Sequence, residues 1–141
     1  MVAAYLALGT ELQIETSPGN FETIPGCQGI DGPGMTRDTV DVTSHSSTGG
    51  YREYISGLRD GGEVTCDVNW LFDDPAQLAL EDAFGTEVPV NFRVRYPWLT
   101  PVIYDEFAGL VTDLTRSSPI DAQSTRALTV KITGPVTWDE E

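Results

Sequence analysis

Asp38-Thr39-Val40-Asp41-Val42 and Glu63-Val64-Thr65-Cys66-Asp67-Val68-Asn69-Trp70 bracket the stretch whose reading decides the fold. In both segments apolar and polar residues alternate, the period-two signature of half-buried β-strands. Between them runs Thr43-Ser44-His45-Ser46-Ser47-Thr48-Gly49-Gly50-Tyr51-Arg52-Glu53-Tyr54-Ile55-Ser56-Gly57-Leu58-Arg59-Asp60-Gly61-Gly62. A connection this long is uncommon in a compact domain unless it is a binding surface or disordered. Tyr51, Tyr54, Ile55 and Leu58 argue against pure disorder, because they give the segment something to bury against a partner. Asp38 to Trp70 therefore reads as strand, long polar loop, strand.

Working outward, Tyr5 to Glu15 reads as an opening strand, with Leu6 and Leu8 on one face and Leu12 and Ile14 following a Gly9-Thr10 interruption. Thr16 to Asn20 is a turn, Phe21 to Pro25 a short strand, and Gly26 to Gly34 a glycine-rich loop. Downstream, Asp74 is a good N-cap, Pro75 suits the first helical position, Gln77 completes a capping-box pattern and Gly85 is a stop. Ala76, Leu80, Ala83 and Phe84 share a face at helical spacing. Val88 to Tyr96 alternates cleanly, Val102 to Thr115 supplies one or two strands, and Arg126 to Gly134 buries Leu128, Val130 and Ile132. One short helix covers only one flank of a sheet, so the fold class is mainly β: an antiparallel β-sandwich or half-barrel with one flanking α-helix and a long loop between two central strands. Residues 1–134 form a single domain and 135–141 an acidic, solvated C-terminal tail.

The length of 141 residues suits one ordinary core. The run Val2 to Leu8 is too short for a membrane span and no basic residue precedes it, so the expectation is a protein made and kept in a cytosol with no membrane span. Two cysteines do not make a disulfide scaffold, and both read as free thiols. Acidic residues number 22 against 8 basic, for a net charge of −14. That balance works against attraction to a phosphate backbone.

No catalytic pattern emerges. His45 with Ser44, Ser46 or Ser47 and Asp41 are sequence neighbours, whereas a triad needs geometry fixed by separate rigid elements. One His and two Cys match no zinc spacing. Asp73-Asp74 and Asp60-Gly61-Gly62-Glu63 offer oxygens for calcium, but they read more simply as a helix cap and a turn. No cofactor is expected, and the chain's sole lysine, Lys131, stands in no phosphate-loop motif.

Asp41-Val42-Thr43 with its Ser-rich loop, Tyr51-Arg52-Glu53-Tyr54, Ile55-Ser56-Gly57-Leu58 and Asp60-Gly61-Gly62-Glu63-Val64 together resemble the tail tube proteins of long, non-contractile-tailed bacteriophages. The helix-like Asp74 to Phe84, the Phe107 to Thr112 strand and the closing Leu128 to Gly134 fit the same pattern, so the likeness spans nearly the whole chain. It implies the phage tail tube fold in a structural virion protein, not an enzyme, that self-assembles into stacked hexameric rings. The hollow tube passes DNA through its lumen without specific binding. Implied partners are the protein itself and other tail proteins such as the tape measure, terminator and baseplate or tip. The implied location is the virion tail, with the host cytoplasm during assembly. Under this reading Thr43, Ser44, His45, Ser46, Ser47, Thr48, Tyr51, Tyr54, Ile55 and Leu58 form an inter-ring stacking loop, mobile in the isolated subunit. Glu63 and Asp67 alternate with buried neighbours and are the candidate lumen-facing acids. The alternative, from another class, is a monomeric carbohydrate- or surface-binding β-sandwich module that meets its ligand through Tyr51, Tyr54, Trp98 and Trp138.

Overall fold

The computed structural model describes Ala4 and residues 6–141. Seven strands form one antiparallel sheet in the order β2-β1-β7-β8-β9-β6-β3. They are β1 (Glu11–Ser17), β2 (Asn20–Thr23), β3 (Cys27–Asp31), β6 (Glu63–Asn69), β7 (Val90–Tyr96), β8 (Ile103–Ser117) and β9 (Thr125–Glu140). A separate two-stranded ribbon joins β4 (Thr36–Asp41) to β5 (Tyr54–Asp60), and α1 (Pro75–Phe84) packs on β1 and β8. The long β8 and β9 form the spine, with register shifts at Glu106/Ala108 and Val111/Asp113 that bend the sheet. So bent, the sheet folds over its own apolar face.

That face is the core. Leu12 and Ile14 of β1, Val64, Cys66 and Val68 of β6, Phe92 and Val94 of β7, Phe107 and Val111 of β8, and Leu128, Val130 and Ile132 of β9 are all buried. The alternations read from β6, β7 and β9 thus map onto burial. Gly109 lies where β8 crosses this layer: a Cβ there would sit 2.4 Å from Cγ1 of Val130. Glycine is what lets the two strands close up at that point.

The helix starts where its cap says it should. Asp74 accepts from the N–H groups of Ala76 (2.9 Å) and Gln77 (3.3 Å), and Gly85 ends the helix. Gln77 does not complete a capping box. It is buried, its Oε1 accepts from Leu71 N–H at 2.9 Å, and its Nε2 donates to the carbonyls of Asn69 (2.7 Å) and Pro25 (3.3 Å). The amide satisfies three backbone groups at the end of β6, which a solvent-side box would leave orphaned. Ala76, Leu80 and Ala83 are buried as expected, whereas Phe84 is exposed.

Other expectations change. The first strand begins at Glu11; Leu6 and Leu8 lie outside it and are exposed, and Tyr5 falls outside the described residues. Gly26 to Gly34 contains the strand β3, because backbone pairing to β6 (Cys27 opposite Val68, Gln28 opposite Asp67) outweighs the weak strand preference of its glycines. Residues 135–141 are not a free tail: β9 continues to Glu140 paired with the start of β8, and Glu141 pairs through its carboxylate with Arg95. Pro135 is tolerated at the bend where the pairing register has just shifted. Both cysteines are free. Cys66 is buried beside Cys27, and the hydrogen bond between them, with burial, pushes the Cys66 thiol up.

Candidate functional site

The stretch read as one long loop contains a strand. β5 pairs back on β4 in the register Thr36 to Asp60, Arg37 to Arg59, Thr39 to Ser56, Val40 to Ile55 and Asp41 to Tyr54. The result is an arm whose contact with the body is at its base. Every residue of β4 is exposed, contrary to the half-buried strand its alternation suggested. The reason is geometric: a two-stranded ribbon with no third layer has no inside within its own subunit. Val40, Val42 and Ile55 share one face and Tyr54 lies on the other, while Leu58 follows a register shift in β5; all are exposed, Leu58 by 84%.

The tip is built from the hydroxyls that the sequence displays. Thr43 N–H donates to Asp41 Oδ1 (2.8 Å), and Glu53 N–H donates to Thr43 Oγ1 (2.9 Å). Ser44 N–H donates to Ser47 Oγ (2.9 Å), Ser47 N–H to the Ser44 carbonyl (3.0 Å), and Ser46 N–H to Ser44 Oγ (3.3 Å). A 3-10 turn at Thr48–Gly50 then returns the chain, using the left-handed conformation at Gly49 (φ 65°) and Gly50 (φ 73°). The Thr43 hydroxyl and N–H, helped by Arg52, hold the Asp41 carboxyl below the usual carboxylate range. His45 takes no part in these bonds, and Ser44, Ser46 and Ser47 are engaged with backbone and with each other.

At the base of the arm, the Asp60-Gly61-Gly62 turn is confirmed in detail. Gly62 has φ 74°, and its N–H donates to Asp60 Oδ1 at 2.8 Å. A Cβ at Gly62 would lie 2.2 Å from the Gly34 carbonyl oxygen, so the two chain segments that launch the arm touch here. That close approach fixes where the arm leaves the body.

Glu63 and Asp67 are exposed on the face of β6 opposite Val64, Cys66 and Val68. The same outward face of the sheet carries a charged belt. Arg95 bridges Glu11 (3.1 Å) and Glu141, and Arg93 pairs with Glu106 (3.7 Å) while stacking on Phe21 and Tyr104. Glu63 has Lys131 as its direct cross-strand neighbour on β9, whereas Asp67 faces Gln28 and Ala127. The belt left no signal in single strands; it exists because register sets Arg93 opposite Glu106 and Arg95 opposite Glu11.

The aromatics of the binding-module alternative are distributed. Tyr51 and Tyr54 ride on the arm, Trp98 donates from Nε1 to Thr10 Oγ1 (2.9 Å) and packs edge-on to Tyr96, and Trp138 lies on β9.

Comparison with known proteins follows the same lines. A family model described as lambda phage tail tube protein matches residues 4–139. Among curated proteins none matches the sequence significantly. Solved structures with this fold include the tail of an empty gene transfer agent particle refined with C6 symmetry, at TM-score 0.77 and 23% identity over 96% of this chain and 99% of that one. The tail tube of phage SPP1 superposes at TM-score 0.71 with 12% identity over 94% and 77%. The sheath-tube complex of an extracellular contractile injection system gives TM-score 0.68 with 11% identity over 99% and 95%.

Proposed function

Given that this chain belongs to the lambda phage tail tube protein family, a family of structural tube-forming proteins, we propose that its subunits close into hexameric rings that stack into the wall of a non-contractile tail. The observation that carries the proposal is the arm. A ribbon with apolar side chains on both faces and no cover within its own subunit is a liability in a monomer and an anchor in a stack. In this reading the arm residues from Thr43 to Leu58, mobile in the isolated subunit, engage the neighbouring ring, with Tyr51, Tyr54, Ile55 and Leu58 as anchors and the hydroxyl-bonded tip as the end that is inserted. The six-fold ring is supported by the C6 symmetry of the gene transfer agent tail. The non-contractile assignment rests on the family model, since the fold itself is shared with contractile systems.

The tube passes DNA, and its wall acts by not binding it. A duplex slides past a carboxylate surface, whereas each lysine or arginine would pair with a phosphate and release counterions. Glu63 and Asp67 are proposed to line that channel, Asp67 with the stronger claim because Lys131 neighbours Glu63. The role is structural and not catalytic. The partners are further copies of the chain, then the tape measure, terminator and baseplate or tip proteins that begin and end the tube. The location is the virion tail after assembly in the host cytoplasm. Sedimentation over a concentration series tests the proposal. Discrete ring species growing into tubes are expected, and a monomer at every concentration and salt would overturn it.

A further inference from the structure

Six of the eight basic side chains are in ion pairs with carboxylates: Arg52, Arg93, Arg95, Arg116, Arg126 and Lys131. Among the described residues Arg37 and Arg59 make no such pair, in a chain with 22 acids to choose from. They stand directly opposite each other at the base of the arm, a like-charge cross-strand pair that disfavours the ribbon. Both line a groove of about 600 Å³ whose apolar wall is Met35, Ile132, Pro135 and Val136. Two cross-strand arginines beside an apolar trough, with the groove's own Asp60 paired to Lys131, suit one kind of occupant: an apolar side chain followed by a carboxylate.

The chain displays such a knob at the far end of the same strand. β6 runs from Glu63, beside the groove, to Asn69, roughly 20 Å away at the usual rise per residue. Just beyond lie Leu71 and Phe72, exposed by 44% and 78%, and then the exposed Asp73. Two neighbouring acids are engaged: Asp74 caps the helix, and Glu81 is held by Arg116 and Arg126. Among the described residues, the exposed Asp73 carboxylate makes no ion pair.

We propose that the groove receives the Phe72-Asp73 turn of a second copy, Phe72 filling the trough and the Asp73 carboxylate bridging Arg37 and Arg59. The two surfaces differ and sit at opposite ends of one strand, so the contact is head-to-tail, and placed along the tube axis it repeats from ring to ring. This rests on the tube reading, which supplies the second copy.

Charge exchange in the full chain tests it, read by negative-stain microscopy and sedimentation. The double variant Arg37→Glu, Arg59→Glu should keep the melting temperature and form rings, but raise the concentration at which tubes appear about tenfold to hundredfold. Asp73→Arg alone should do the same, and combining all three substitutions should restore stacking. Tubes at the wild-type threshold in the double variant overturn the contact and leave the tube reading standing. Folded double and triple variants that both fail to stack overturn the pairing of these residues. Wild-type protein that stays monomeric refutes the tube reading and this contact with it.

Discussion

Leu58 is 84% exposed in the subunit, and in the proposed tube it is buried by a neighbour. Leu58→Ala removes three carbons. At about 0.8 kcal/mol per buried methylene, scaled by the exposed fraction, the loss is about 2 kcal/mol at each inter-ring contact, or about thirtyfold in association. Every subunit of a ring suffers the same loss, so the threshold for stacking shifts by more than one contact predicts. The isolated subunit loses little, within about 0.5 kcal/mol, because the side chain packs on nothing there. Leu128→Ala is the control: that side chain is 1% exposed, and truncation costs the fold about 2–5 kcal/mol. The assay pairs thermal melting of dilute subunit with light scattering over a concentration series. Leu58→Ala should leave the melt unchanged and displace the scattering onset upward. A melt lowered as far as that of Leu128→Ala would mean the arm packs within its own subunit, and an unmoved onset would remove Leu58 from the interface.

Four further outcomes follow from particular contacts. Gly109→Ala places a Cβ against Val130 and should cost about 1–3 kcal/mol, read by urea denaturation; an unchanged midpoint would mean β8 and β9 part there easily. Arg126, with Arg116, holds the Glu81 carboxyl below the usual range, so its folded pKa lies under the unfolded one. The pair's stabilisation is therefore full above the unfolded value of about 4.3 and lost as pH falls through and below it, so melting temperature should drop between roughly pH 5 and 3, and Glu81→Gln should flatten that drop. Deleting Ser44 to Gly50 should leave a folded subunit that forms rings without stacking, and long tubes from the shortened protein would place the stacking contact elsewhere. Glu63→Lys with Asp67→Lys should leave assembly largely intact and slow DNA release from complete particles; release at the normal rate would take both residues off the channel wall.

How much of this was legible in the sequence depends on which groups do the holding. β6, β7, β9 and the Asp74-capped helix were readable because local period and local capping agree with burial, as at Val64, Cys66 and Val68 or at Asp74 with Ala76. β3 was not, since glycines at 26, 29 and 32 mask a strand that exists only because β6 pairs with it. β5 was hidden for a related reason: Tyr54 to Asp60 alternates weakly, and its strand state comes from β4 opposite it. The extension of β9 to Glu140 escaped because Gly134 and Pro135 read as an end. At the candidate site, composition identified the arm's Ser, Thr and Tyr residues but not that the hydroxyls would close their own tip. The opposed pair Arg37 and Arg59 required the register, and so did the Arg93 and Arg95 belt. Local pattern carries what each segment can do alone, and long-range pairing supplies the rest.

The central claim is that this subunit builds a hollow wall through contacts made by the arm. Cryo-electron microscopy of the purified full chain at assembling concentration tests that most directly. The account predicts stacked hexameric rings around an open channel, with density for Tyr54, Ile55 and Leu58 of each arm seated on the adjacent ring. Isolated monomers, or tubes in which the arms project free into solvent, would contradict it.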